Sequence, residues 1–268
     1  ALKALAAMTV VTALAPMLAP IAGGFLHDWF GWRSVFVTLV GVGCLLTAGY
    51  AAILPETNAG RDPHALRFGA MFANYKVLWT TPVFAAHALL MALLFSGQLV
   101  FISSSSFVLV DDLGLSERLY GFSFGLVAFG IMAGATISRR LAGVWPPRRI
   151  VLTATVIGGV MSSTMAFIAL SGAEAVLLIV LPMMVVAGVN GMSGPAARSS
   201  ALIPFPQMAG LASAVMGFSQ IGMASAYSIG YNSLLSPGPV TMTCSIAAAS
   251  VSALVVALLV GGRGIKSP

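Results

Sequence analysis

Charge is scarce in this sequence. Only 7% of its 268 residues are Asp, Glu, Lys or Arg, against about 25% in a soluble globular domain. That composition excludes a water-soluble globular fold. Acid is scarcer than base, and all seven carboxylates (Asp28, Glu56, Asp62, Asp111, Asp112, Glu117 and Glu174) stand in loops or at the ends of apolar segments. None lies mid-segment, where a charge costs about 2.5–3.5 kcal/mol on insertion scales. Cysteine is almost missing. Cys44 and Cys244 are far apart, each within an apolar stretch, so neither a disulfide framework nor a cysteine metal site is indicated. The three histidines, His27, His64 and His87, are scattered, and no Ser–His–acid or metal-ligand spacing occurs. No enzyme activity, metal or cofactor is therefore expected. The net charge of +6 raises nucleic acid as a partner, but the basic residues are dispersed over short loops rather than gathered in a patch.

What the chain does have is long apolar runs, with 59% hydrophobic residues overall. Runs of about 20 such residues are the signature of spanning helices. Eight are read, at about 4–26, 33–54, 82–110, 119–138, 150–170, 174–197, 207–235 and 239–262. The expected fold is an all-α membrane protein with eight transmembrane helices. A membrane β-barrel would need alternating segments of about ten residues, and none is present. If Lys3 is cytoplasmic, eleven of the thirteen basic residues fall on that side, leaving only Arg33 and Arg118 opposite. The positive-inside rule then puts the C-terminus in the cytoplasm. Trp29, Trp32, Trp79 and Trp145 all sit at or just beyond segment ends, the aromatic-belt position.

Two stretches break the apolar pattern. In APMLAPIAGG, residues 15–24, Pro16 and Pro20 are one turn apart and precede Gly23 and Gly24. Prolines remove helix hydrogen bonds and glycines admit a neighbouring backbone. The stretch reads as a weakened, closely packed helix end, suited to a gate or hinge; a plain kink is the alternative. The longest polar stretch, residues 55–81, reads as a linker with a short interfacial helix over 66–78. It divides two spans, in residues 1–54, from six, in residues 82–268.

Several motifs, in order along the chain, resemble the major facilitator superfamily, and within it the drug:proton antiporter branch of the Bcr/CflA type. APMLAPIAGG resembles the antiporter motif of the fifth helix, with Ala19 where glycine is usual. FGWRSVF and LPET (Leu54–Thr57) resemble the start and exit of the sixth. FISSSSFVLVDDLGLSERLYGFSFG resembles the seventh helix, outer loop and eighth helix, and PAARSSALIPFPQMAGLASAVMGFSQ the tenth-to-eleventh stretch. The resemblance implies that residues 1–54 are the last two helices of an N-terminal half. Residues 82–268 would be a complete six-helix C-terminal half, and helices one to four would be missing from an N-terminally truncated fragment. It implies two halves rocking about a central site, a secondary transporter of the bacterial inner membrane, and export of hydrophobic or cationic drug-like compounds with the proton as coupling ion. The proton-carrying residue would then lie upstream.

Polar and aromatic residues within the spans are the candidates for substrate binding: Gln98, Phe101, Asn190, Gln220 and Tyr227. Polar groups in lipid turn toward protein or a water-filled cavity, and aromatic walls suit greasy ligands and cations; ordinary interhelical hydrogen bonding is the competing explanation. Pro16, Pro20, Gly23 and Gly24 are the candidate gating residues. His87 is either a proton relay or a neutral histidine bonded to a neighbouring helix. Gly121, Gly125, Gly130 and Gly134 of the fourth span, and Gly188, Gly191 and Gly194 of the sixth, mark close helix crossings. The expected partners are a small-molecule substrate and the lipid bilayer, with a monomer as the full-length state. A metabolite carrier of the same superfamily, for sugars or amino acids, and a non-transporting membrane scaffold are the alternatives.

Overall fold

A computed structural model describes residues 22–26, 29–53, 68–173, 175–236 and 238–262. Its regular structure among these is entirely helical. The chain divides into two compact units, Ala1–Phe72 and Ala73–Pro268. In the first, residues 22–26 are helical and α1 runs from Trp32 to Ile53 with none of its residues buried. Pro16 and Pro20 lie outside the described residues. Gly23 and Gly24 fall in the short helical stretch, where a Cβ on either would meet nothing.

The helix α2 (Phe68–Thr80) leads into the second unit. It is followed by α3 (Pro82–Ser106), α4 (Glu117–Leu141), α5 (Pro147–Leu170), α6 (Val176–Leu202), α7 (Ala209–Leu234) and α8 (Pro239–Gly262). The ends follow local chemistry. Pro82 and Pro147 open their helices, where a missing N–H costs nothing. Ser116 caps α4 by accepting from the backbone N–H of Leu119 at 3.4 Å. Gly172, at φ +80°, lets the chain leave α5 in a conformation that a side chain would strain. The helix α3 does not stop at Ser106: it widens into a π-helical stretch, Phe107–Asp112, that ends with the Leu113 N–H on Val108 O at 3.1 Å.

Short links make successive helices antiparallel. The end at which α3 and α5 begin, called basal below, carries Arg139, Arg140, Arg148 and Arg149. Leu78 of α2, Phe84, Ile150, Ala201 and Phe205 form its core. Phe101, Leu109, Met183, Tyr231 and Met242 form the apical core. Between the cores α3 is the axis, packing on α6, α7 and α8; α4 lies against α6, and α5 against α6 and α8. The α4–α6 crossing is backbone to backbone. A Cβ on Gly130 would strike Met184 O, one on Gly134 would strike Gly188 O, and one on Gly191 would strike Ile131 O. Gly121 and Gly125, in contrast, face open space.

The exterior is apolar. Phe129, Val160, Phe167, Phe218, Ile229 and Leu259 are all exposed. In water this would be an aggregating surface; against lipid it is the expected one. Several buried hydroxyls are satisfied within their own helices, as with Ser96 on Ala92 O, Thr155 on Val151 O and Ser193 on Val189 O, while others bond across helices, as Ser105 does to Tyr120.

Six of the eight expected spans correspond to helices long and apolar enough to cross a membrane. The first, at 4–26, lies mostly outside the described residues. The seventh is helical as α7, but Ser213, Ser219, Gln220, Ser225, Tyr227 and Ser228 lower its apolar character, and it is not among the six. The sixth is longer than expected. A span ending at 197 leaves Arg198 in a loop, whereas α6 continues to Leu202 and encloses it; Pro182 and Pro195 stand inside without ending the helix.

Candidate substrate groove

Helices α6 and α7 barely touch each other, yet both pack on α3. They are two walls with α3 as the floor between them. The two faces of α3 are fixed by contacts. Met91 packs over Gly194 of α6, and Leu94 O accepts a hydrogen bond from Asn190 Nδ2 of α6 at 3.3 Å. Ser103 Oγ shares a 3.0 Å hydrogen bond with Ser228 Oγ of α7. At about 100° per residue, the stripe between these faces is Phe95, Leu99, Ile102 and Ser106. These residues stand out on a mostly buried helix: Phe95, Leu99 and Ser106 are half-buried and Ile102 is 40% exposed. The floor of the groove is therefore apolar.

Its polar groups sit at the edges. Asn190 is half-buried and tied to α3 as described. Gln98, one turn beyond Leu94, is only 8% exposed and makes no hydrogen bond among the described residues. No fully enclosed side-chain N or O there lacks a partner, so the Gln98 carboxamide keeps contact with open space. Gln220 of α7 accepts a hydrogen bond through Oε1 from Arg198 Nη2 of α6 at 3.2 Å. At 1.5 Å per residue, Gln98, Asn190 and Gln220 lie about 24, 18 and 16 Å from the basal ends of their helices, and Arg198 about 6 Å. Three uncharged amides thus lie at middle depth, and a guanidinium from nearer the basal end reaches up to one of them.

The other two candidate contacts are placed differently. Phe101 is 1% exposed, and its ring is stacked on Phe124 with centroids 6.4 Å apart. It lies behind the floor. Tyr227 donates its hydroxyl to Ser245 O of α8 at 2.8 Å and ties α7 to α8. His87 lies in a separate basal pocket with Leu90, Arg148, Val151 and Ala257. Its Nδ1 is 2.7 Å from Val83 O, one turn back in the same helix rather than in a neighbour.

The sequence profile of the Major Facilitator Superfamily matches residues 2–231. The chain belongs to the major facilitator superfamily. It is 26% identical over 218 residues to a bicyclomycin resistance protein homolog of Haemophilus influenzae, covering 80% of this chain and 54% of that one. It is 28% identical over 219 residues to the multidrug resistance protein MdtL of Klebsiella pneumoniae, covering 82% and 54%. Against MdtL of Citrobacter koseri the identity is 29% over 238 residues, covering 87% and 58%. The chain spans little more than half the length of these relatives.

As a superfamily member it is a multi-pass membrane protein, of a family whose members move solutes rather than transform them. Within that frame the sequence points to the edge amides Gln98, Asn190 and Gln220 but misses two parts of the groove. Phe95, Leu99 and Ile102 carry no distinguishing signal, because an apolar residue in an apolar helix reads the same against core, lipid or cavity. Arg198 does carry a signal, its charge, but in sequence that charge reads as the end of a helix.

Proposed function

We propose that the full-length protein is a secondary active transporter that exports hydrophobic drug-like compounds across the bacterial inner membrane in exchange for protons. The observation that carries this reading is the groove over α3: an apolar floor of Phe95, Leu99 and Ile102, edged at mid-depth by the amides of Gln98, Asn190 and Gln220. Such a surface binds greasy bodies of varied shape and orients them through a few hydrogen bonds. Phe101 and Tyr227 support it from behind. The drug-resistance names of the relatives support the same substrate class.

In this reading residues 1–54 belong to the first half of the transporter, 55–81 form the cytoplasmic linker, and 82–268 form the second half. The C-terminus is cytoplasmic, the working unit is a monomer, and no cofactor beyond the proton is needed. Pro16, Pro20, Gly23 and Gly24 make the outer seal. A metabolite carrier is the second reading; the fixed charge of Arg198 beside Gln220 favours it.

The test is transport by the full-length protein in proteoliposomes with an imposed proton gradient. Accumulation of a drug that collapses on adding a protonophore is the expected result. Transport of sugars or amino acids with no drug transport would replace the first reading with the second.

A further inference from the structure

The candidate substrates include cations, but the groove contains a cation of its own. Arg198 stands inside α6, about one turn from its basal end. An arginine so placed can extend its stem toward the headgroups and keep its charge in water. This one turns instead along the groove to Gln220, whose position on α7 is some 10 Å deeper, and both the arginine and the bond it makes stay exposed. A guanidinium carries five N–H donors in a fixed fork and no acceptor. The one hydrogen bond it makes among the described residues is to a neutral amide, and no carboxylate stands within ion-pair distance there. The wall that receives it is neutral: besides Gln220, the polar groups along the groove are the half-buried Asn190, Ser103 and Ser106 and the nearly buried Gln98.

We infer that Arg198 sets the charge preference of the groove, and that the ligand it takes is an apolar body bearing a carboxylate or similar anionic acceptor, rather than a cation. This rests on the groove being the substrate site. The carboxylate accepts two N–H bonds from the guanidinium fork, an arrangement a neutral amide cannot match. Gln220 holds the fork in place in the absence of ligand and yields it on binding. The apolar remainder lies on Phe95, Leu99 and Ile102. A cationic ligand of the same shape brings a second positive charge to the guanidinium and is repelled.

The test is binding to the full-length protein in detergent, with no gradient, of three fluorescent probes that share one body: dansylglycine, its amide, and dansylethylenediamine. The expected affinity order is carboxylate, amide, amine. Arg198→Gln is expected to weaken dansylglycine by about tenfold, the order of a charge-assisted hydrogen bond, and to leave the amine equal or tighter. Arg198→Lys should recover part of the loss. Gln220→Glu, which keeps the arginine and occupies it with a carboxylate, should reproduce the loss even if Arg198→Gln does not fold. Equal affinities for the three probes, a preference for the amine, no binding of dansylglycine, or a Gln220→Glu protein that binds it unchanged would each overturn the inference. Failure of transport with the binding order intact would instead count against the proposed export.

Discussion

Two side chains three positions apart on α3, Gln98 and Phe101, have opposite fates. Phe101 is enclosed and stacked on Phe124, whereas Gln98 keeps its carboxamide free of any protein partner among the described residues. Truncating a buried Phe removes apolar contacts and leaves a cavity, a loss of about 3–5 kcal/mol. Replacing an unbonded amide by an apolar group of similar size removes no bond. Phe101→Ala should therefore lower the melting temperature of the purified protein by many degrees. Gln98→Leu should leave the melting temperature nearly unchanged while altering probe affinity. Gln98, Asn190 and Gln220 are legible from sequence because a polar residue within an apolar run is costly and needs a reason. Arg198 is not, because charge ordinarily marks the boundary of a span, whereas a long flexible stem lets the Cα stay inside the helix.

At the scale of the element, the α4–α6 pair shows what the glycine pattern means. Gly130, Gly134, Gly188 and Gly191 bring two backbones together, while Gly121 and Gly125 of α4 touch nothing. A methyl at Gly134 would meet the carbonyl of Gly188, which is backbone and cannot turn aside. Gly134→Ala and Gly191→Ala are expected to cost at least the roughly 1–3 kcal/mol typical of overpacking, read as a lower midpoint in detergent denaturation. Gly125→Ala should be neutral or stabilising, since alanine favours a helix by about 1 kcal/mol over glycine. Spacing alone treats the four glycines of α4 alike. Which of them a neighbour covers depends on where that neighbour ends, and no single helix carries that information. The π-helical end of α3 is illegible for a similar reason: Phe107–Asp112 has nothing in composition that separates it from an ordinary final turn.

For the whole molecule, the bundle is legible in the sequence and the groove is not. Long apolar runs fix where helices lie, because a bilayer leaves the backbone no other way to satisfy itself. They do not fix which faces meet, so the separation of α6 from α7 over α3 emerges only from packing. Orientation is open to a direct check: a fluorescent protein fused after Pro268 should light up, and an alkaline phosphatase fused there should be inactive, if the C-terminus is cytoplasmic. The reverse pattern would invert the topology and place the basal arginines outside. The central claim is that the face of α3 between α6 and α7 is wet while the outer faces of the same bundle are not. It is tested by placing single cysteines in the full-length protein, with Cys44 and Cys244 replaced by alanine, at Ile102 on the floor and at Val160 on the outer face of α5, both well exposed. A charged, water-soluble thiol reagent applied to open membranes should modify Ile102→Cys and spare Val160→Cys, and a transported drug should protect the first; labelling of Val160→Cys with Ile102→Cys left untouched would contradict the account.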